Sequence, residues 1–303
     1  MTAGAVVIAG VLDAVLREPR VAHPVRAMGR YLAVAQRPVP AGPPARAAVV
    51  GGLAWAVGAA ASVAAGAVLE QAVARAPAWR RALVRGVALW PLFAHRLLLD
   101  EVAAVEAALG EDVPAGRAAV GRIVSRPTAN LSASQVRQAA IESLAENLSD
   151  SVVAPLWWFA VGGLPAAAGY RFVNTADALW GYRTPRWRHA GLVAARTDDL
   201  LNLVPARLTG LALAPWRNPA RALRLRREAR RTPSPNAGWP MAALALRLDI
   251  RLEKPDAYVL NPTGRLPTAT DTGAALRLAR RRGWALIAGG ALLAAAREWR
   301  RAA

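Results

Sequence analysis

Long apolar runs alternate along this chain with polar stretches whose apolar residues recur at helical spacing. The clearest run is Ala47 to Leu69: 23 consecutive residues without a charge, with Ser62 the only hydroxyl. At about 1.5 Å rise per residue a helix of this length reaches about 34 Å, enough for a hydrocarbon core of roughly 30 Å. Its Ala and Gly content suits close helix packing in lipid. Weaker runs are Thr2 to Leu12, continuing past Asp13 to Leu16, and Gly86 to Leu99, which carries Pro91, His95 and Arg96. Val152 to Ala168 is uncharged but interrupted by Pro155, Gly162, Gly163 and Pro165, and Leu200 to Trp216 includes Arg207. Trp284 to Ala296 is apolar over 13 residues, short enough to lie in the interface or to form one leg of a bundle. The pattern predicts about four or five membrane-associated helices.

The polar stretches read as amphipathic helices. Asp100 to Val124 predicts one helix followed by a second short one, and Ser132 to Leu148 another, with Ser132 or Ser134 as N-cap. Arg217 to Arg231 reads as a basic helix on the cytoplasmic membrane face, and Thr232 to Pro240 as a loop rich in turn residues. Strand alternation and internal repeats are not visible. The expected fold class is therefore all-α: a polytopic integral membrane protein with amphipathic cytoplasmic helices, forming a single domain over residues 1–303.

Composition sharpens this. Hydrophobic residues make up 54% of the 303, and 39 Lys+Arg against 20 Asp+Glu leave a formal net charge of +19. Nearly all the cations are arginine, Lys254 being the only lysine. Such an excess suits either nucleic acid or an anionic membrane surface. Here the cations are dispersed among apolar runs without aromatic interleaving, which points to the lipid bilayer and away from nucleic acid. The positive-inside count does not resolve the topology, since the connections Arg17–Arg46 and Arg75–Arg85 are both basic. Without cysteine, disulfides, zinc–thiolate sites and thiol catalysis are excluded. No positive region precedes the first apolar run, so a cleaved signal peptide is not expected.

In a chain so short of acids, their clustering between Glu142 and Asp199 stands out. Glu142, Glu146 and Asp150 are spaced by four, which stacks them on one side of a helix if it continues that far, with Asn147 adjacent. Taken alone, the spacing also suits a solvated helix face neutralised by arginines. Downstream lie Asn174, Asp177, Arg196, Asp198, Asp199, Asn202 and Arg207, beside apolar sequence where ionisable groups are costly and usually functional. Hard carboxylate oxygens suit Mg²⁺, which tends to use one or two of them plus substrate phosphates. No Walker A, kinase Gly-rich or Rossmann pattern occurs. If Val152–Ala168 crossed the bilayer fully, Glu146 and Asp177 would emerge on opposite sides. A single site therefore predicts a broken or re-entrant segment with Pro155, Gly162 and Pro165 at its bends.

The run Glu142-Ser-Leu-Ala-Glu-Asn147 with Asp150 and Val153-Ala-Pro155, then Tyr170-Arg-Phe-Val-Asn-Thr175, Asp177 and Gly181-Tyr182, resembles the CobD/CbiB family of cobalamin biosynthesis proteins. So do Ala194-Ala-Arg-Thr-Asp-Asp199, Asn202 and Pro205-Ala-Arg207, and outward from these Asp13, Glu18-Pro19, His23-Pro-Val25, Gly29, Arg126 with Thr128, and Ser234-Pro-Asn-Ala-Gly238 with Pro240. The resemblance covers nearly the whole chain. It implies an amide synthase of the bacterial inner membrane that joins adenosylcobyric acid to (R)-1-amino-2-propanol or its O-phosphate, with ATP and Mg²⁺. Other cobalamin enzymes at the membrane are expected partners.

In that reading Glu142, Glu146, Asp150, Asp198 and Asp199 are the catalytic carboxylates, and all but Glu142 are candidate Mg²⁺ ligands or amine-recognising groups. Arg126, Arg196 and Arg207 suit phosphate or propionate, where bidentate pairing favours arginine. Asn147, Asn174, Asp177, Asn202 and Asn236 are expected to orient substrate, and His23 to serve as base, phosphate contact, corrin-side ligand or structural bond. Trp157 and Trp158 could meet a large flat ligand, while His95 and His189 are expected to be structural.

The chain departs from the family pattern in several places. Ser125-Arg-Pro-Thr128 stands for Gly-Arg-Asp-Thr, Asp150-Ser151 for Asp-Gly, arginines 171 and 183 for lysine, and Leu252-Glu-Lys-Pro for a glycine-bearing turn. The alternatives are a corrinoid transporter or its subunit, or a membrane scaffold for other cobalamin enzymes.

Overall fold

The structure is a computed structural model that describes residues 2–19, 23–39, 43–182 and 184–302, with side chains to residue 296. It is mostly helical. In chain order come α1 (Thr2–Leu16), α2 (Pro24–Ala35), α3 (Pro44–Ala72), α4 (Ala78–Leu89), a 3₁₀ turn at Trp90–Leu92, α5 (His95–Glu111), α6 (Val113–Val120) and α7 (Ala133–Leu148). A π-helical turn at Ser149–Val153 precedes α8 (Ala154–Trp180), α9 (Trp187–Ala190), α10 (Leu192–Leu201), α11 (Leu203–Leu213), α12 (Pro219–Ala229) and α13 (Gly238–Leu248). A ribbon, β1 (Leu252–Lys254) and β2 (Tyr258–Leu260), leads to α14 (Ala269–Ala302). Three helical stretches, Pro44–Ala72, Ala78–Glu111 and Ala133–Trp180, are long and apolar enough to cross a membrane, and Ala3–Leu16 and Leu203–Leu213 are shorter apolar helices. Val49, Leu53 and Val57 on α3, and Val7, Val11 and Val15 on α1, form i, i+4 stripes more than half exposed. Apolar stripes turned outward suit contact with lipid.

The chain divides into two units: residues 1–94, 154–202 and 287–303, and residues 95–153 and 203–286. In the first, α3 and α8 pack along a glycine seam. Gly58 and Gly66, buried in α3, face Phe172 and Pro165 of α8, while buried Gly51 faces Ala190 of α9. A Cβ on Gly66 would stand 2.6 Å from the Pro165 nitrogen, so only glycine permits this approach. Opposite that contact α8 is broken: Gly162 leaves helical geometry and Gly163 takes φ 68°, ψ −157°, a backbone state open to glycine alone. The interruption expected between Val152 and Ala168 therefore falls at Gly162–Gly163. Pro155 and Pro165 each follow an interruption, in a first turn where a missing N–H is tolerated. The Leu164 N–H exposed by the break donates to Glu70 Oε1 at 3.3 Å, and Glu70 Oε2 takes the Arg85 guanidinium, with Nε at 2.8 Å. A charge near the end of the longest apolar helix thus caps the restart of another. Leu32, Phe172, Ala176, Trp180 and Ala194 form a buried core, with Trp180 stacked on Trp187 at 5.3 Å.

In the second unit α7 is capped by Ser132, whose hydroxyl accepts from Gln135 N–H while the Gln135 side chain reaches back to Ser132 N–H. The helix is buried on nearly every side. Arg137 forks onto Glu106 from α5, at 2.9 and 2.7 Å. Beneath α12, buried Glu228 accepts from Asn261 N–H at 2.9 Å and pairs with Arg231 at 3.0 Å. The β1–β2 ribbon pairs antiparallel, with Lys254 opposite Tyr258.

Several expected segments are redrawn. Gly86–Leu99 is not one helix, because Pro91 and the 3₁₀ turn divide α4 from α5. Leu200–Trp216 is likewise split at Asn202. The 13-residue run Trp284–Ala296 belongs to a 34-residue helix, since no breaker separates it from the arginine-rich turns before it. The Thr232–Pro240 loop is shorter than expected, as α13 begins at Gly238 with Pro240 in its first turn. The ribbon was not foreseen, its strands of three residues each being too short to show alternation.

Candidate functional site

Most of the polar groups marked out in the sequence collect into two clusters, one in each unit. In the first unit Tyr170, Asn174 and Asp177 follow one another at i, i+4 and i+7 on one face of α8, and Asp198 and Asn202 at i, i+4 on α10 and its cap. Asp198 is buried, 9% exposed. Its Oδ1 accepts from Asn174 Nδ2 at 3.3 Å and its Oδ2 from Asn202 Nδ2 at 3.0 Å. Each amide is itself oriented: Asn202 Oδ1 accepts from the Tyr170 hydroxyl at 2.9 Å and Asn174 Oδ1 from Arg171 at 3.3 Å. With both amide oxygens engaged, both NH₂ groups face the carboxylate.

Burial and the neighbouring Asp177 push the Asp198 carboxyl up, to about 7, against the pull of the two amides. Asp199 adds a smaller push in the same direction. An acid that changes protonation near neutrality, beside two more carboxylates, can hold a cation and take its proton. Asp177 is positioned by the end of α8: a Cβ on Gly181 would fall 2.0 Å from Asp177 Oδ1. Asp177 and Asp199 are half-buried, and Arg196 lies exposed on α10. Trp157 and Trp158 are half-buried, and Trp158 Nε1 donates to Leu201 O at 3.1 Å. Arg183 lies outside the described residues.

In the second unit Arg126, just ahead of α7, pairs with Glu142 Oε2 at 2.8 Å, both side chains being largely buried. The acid face of α7 is therefore not a solvated one. Arg126 Nε is buried without a hydrogen-bond partner among the described residues, while Glu142 also interacts with the Tyr258 hydroxyl. Facing them is Tyr258 of β2, whose phenol is pushed up by burial, then by Glu142 and Glu146. Glu146 and Asp150 are half-buried, and Asp150 sits in the π turn, a geometry frequent at functional sites. Asn147 bonds back to Ser143 O at 3.0 Å and accepts from Ser151. Farther along, Arg207 and Asn236 meet: Arg207 Nη1 donates to Asn236 Oδ1 at 2.6 Å, with the guanidinium over the Trp239 ring.

His23 has a structural place. It N-caps α2 through Nδ1, which accepts from Val25 N–H at 3.2 Å, and its Nε2 lies 3.0 Å from Glu18. His95 is buried edge-on to Trp284, as expected of a structural histidine. Among the described residues no three His, Asp or Glu side chains gather as a cage for a metal ion. Glu146, Asp150, Asp198 and Asp199 supply donors of the class Mg²⁺ prefers, so protein ligation would be limited to one or two of them alongside substrate phosphate. Both Asp198 oxygens are already engaged by amides, which suits that residue to proton transfer more than to ligation.

Sequence reasoning assigned no role to Tyr170, Arg171, Lys254 or Tyr258. Tyr170 was findable, four residues before Asn174 on the same helix face. Tyr258 was not, because the ribbon that delivers it carries no periodic signal.

The family model for CobD/Cbib protein matches residues 6–282. "Cobalamin biosynthesis protein CobD" of Rhodobacter capsulatus is 46% identical over 215 residues, 67% of this chain and 68% of that protein. The protein of the same name from Geobacter metallireducens is 38% identical over 291 residues, 89% of this chain and 87% of the relative. "Probable cobalamin biosynthesis protein CobD" of Methanothermobacter thermautotrophicus is 43% identical over 186 residues, covering 59% and 62%. No solved structure matches. With nearly its whole length matched and the Asp198 and Glu142 motifs folded into ordered clusters, the chain belongs to the CobD/CbiB family of cobalamin biosynthesis proteins.

Proposed function

We propose that the protein is a multi-pass acid–amine ligase of the bacterial inner membrane. It forms an amide between the free propionate of adenosylcobyric acid and (R)-1-amino-2-propanol or its O-phosphate, at the expense of ATP. The observation that carries this reading is the amide-clamped Asp198, with its carboxyl near neutrality and two more carboxylates beside it. An amine reaches the protein as its ammonium ion and attacks only after losing a proton. Asp177, Asp198 and Asp199 attract the ammonium, and Asp198 is the group able to accept the proton near pH 7.

An ionised propionate is a poor electrophile, so it must first be activated. Transfer of the γ-phosphoryl of ATP to a propionate oxygen gives an acyl phosphate and ADP. Asp198 takes the first proton from the ammonium; attack of the freed amine on the carbonyl then forms the C–N bond and breaks the C–O bond to phosphate, and the second N–H proton leaves with the expelled phosphate. Phosphoryl transfer asks the protein mainly for positioning and charge neutralisation. Within the second unit, Arg126 beside Glu142 and Arg207 aligned by Asn236 are guanidinium groups of the kind that pairs with carboxylate or phosphate oxygens. Mg²⁺, when bound, neutralises phosphate charge.

The test is direct. Purified protein in detergent is given corrinoid acid, ATP and the two amines in competition, and products are read by mass spectrometry. Amide formation with one amine preferred is expected, with Asp198→Asn slower by about 10²–10⁴-fold, the range for loss of a general base. Absence of amide with either amine, or an undiminished rate in the variant, rejects the reading.

A further inference from the structure

The second unit holds a cavity of about 760 Å³ far more cationic than either acid cluster. Its wall carries Arg217, Arg247, Arg277, Arg280, Arg281 and Arg282 and no carboxylate. Arg217 comes from the turn after α11, Arg247 from the last turn of α13, and the other four from two turns of α14. Ala274, Leu278 and Ala285 line the cavity beside them, so the arginines approach over a small apolar floor. Trp216 stands at the edge, its indole N–H donating to Leu211 O at 2.8 Å. Arg247 is fixed by a bond from Nη1 to Ala214 O at 2.7 Å.

Several other arginines of the unit find acids: Arg137 meets Glu106, Arg221 meets Asp249, Arg251 meets Glu253 and Arg265 meets Asp271. Among the described residues none of the six cavity arginines has such a partner. On α14, Arg277 repels Arg280 at i+3 and Arg281 at i+4. Burial, and to a lesser extent the neighbouring Arg282 and Arg217, hold the Arg247 guanidinium below its ordinary pKa. Four of the six, Arg217, Arg277, Arg280 and Arg281, are exposed, as Arg226 and Arg227 on α12 are; what sets them apart is their convergence. Here three separate segments converge their cations on a concavity large enough for a small molecule.

We propose that this cavity receives a group bearing two or more phosphoryl charges, presented by a free nucleotide or by the headgroup of an anionic diphosphate lipid. Guanidinium forks match phosphate oxygens in pairs. The lipid source is reachable because the apolar run Trp284–Ala296 begins directly after the arginines. The nucleotide source is reachable through Trp216, whose exposed ring offers a face to a base. The inference stands apart from the ligase reading, since binding is measured without turnover.

The experiment uses the full chain in two arms. In one, calorimetry in detergent measures binding of ATP and of inorganic triphosphate. In the other, native mass spectrometry counts diphosphatidylglycerol retained from nanodiscs against phosphatidylcholine alone. Each arm compares the natural chain with R281Q/R282Q, with the charge-keeping R281K/R282K, and with R226Q/R230Q, which removes equal charge from α12 and its C-cap. Binding in either arm that falls about tenfold or more in R281Q/R282Q, is partly kept by the lysine variant and is kept by the α12 variant supports the receptor and names its source. A shallower salt dependence in R281Q/R282Q would accompany that loss. Absence of binding in both arms, or an equal loss in the α12 variant, overturns it. If R281Q/R282Q does not fold, R281Q alone serves, judged by the same outcomes.

Discussion

A buried acid that titrates near neutrality leaves a thermodynamic trace of opposite sign to that of an ordinary salt-bridged carboxylate. Asp198 rises from 3.8 to about 7 on folding. A shift of about 3 units corresponds to roughly 4 kcal/mol between the two protonation states. Below the unfolded value both folded and unfolded chains carry the proton, and the residue imposes no penalty. Between the two values the unfolded chain ionises first, so stability falls as pH rises; above the folded value the whole penalty is present. The predicted window is therefore about pH 4 to 7, with a loss of up to roughly 4 kcal/mol. Asp198→Asn removes the titration. Its new NH₂ group replaces one carboxylate oxygen and so opposes the NH₂ of either Asn174 or Asn202, adding a pH-independent cost of about 1–3 kcal/mol. Thermal unfolding of both proteins in detergent at pH 4.5 to 8.5, taken as variant minus natural chain, cancels the titrating groups that do not interact with Asp198. The difference should climb in the variant's favour as pH rises. A flat difference, or one that climbs as pH falls, refutes the account of Asp198. Saturating 1-amino-2-propanol should raise the midpoint of the natural chain more at pH 8 than at pH 5, because a bound ammonium relieves the penalty only where the acid is ionised.

Two further outcomes follow from the packing. Glu70→Ala leaves the Leu164 N–H and the Arg85 guanidinium without their acceptor and should cost about 2–4 kcal/mol, read as a drop in thermal midpoint; Glu70→Gln, which keeps an acceptor, should lose less, and equal midpoints in all three proteins would show that the helix break does not depend on this cap. Gly181→Ala places a Cβ 2.0 Å from Asp177 Oδ1, so the carboxylate must turn away; the amide-forming rate should fall by up to about a hundredfold, and an unchanged initial rate would remove Asp177 from the site.

How much of the site the sequence discloses depends on how local its geometry is. Helical spacing sets Glu142 near Glu146, Tyr170 near Asn174 and Asp198 near Asn202, because i, i+4 neighbours share a face whatever the tertiary fold. The break in the apolar segment was legible for a similar reason: a Gly-Gly pair followed by proline resists continuous helix. Pattern alone could not tell which acids are buried or what holds them. Arg126 and Glu142 are 16 residues apart, Asn174 and Asp198 are 24 apart, and no periodicity links such pairs. For His23 the sequence left chemistry and a structural bond open, and in the fold its ring caps α2.

By itself, the sequence determined the helical class, the apolar stretches, a serine cap at Ser132 or Ser134 and the family, since each rests on composition, short-range period or motif. Only the tertiary structure decided that Glu142 is a buried ion-pair partner and not a solvated charge, that Tyr258 faces it, that Glu70 caps a broken helix, and that arginines from three segments line one cavity. These depend on segments distant in sequence meeting in space. Burial, which sets both the cost of a charge and its pKa, is a property of that meeting and not of any residue alone.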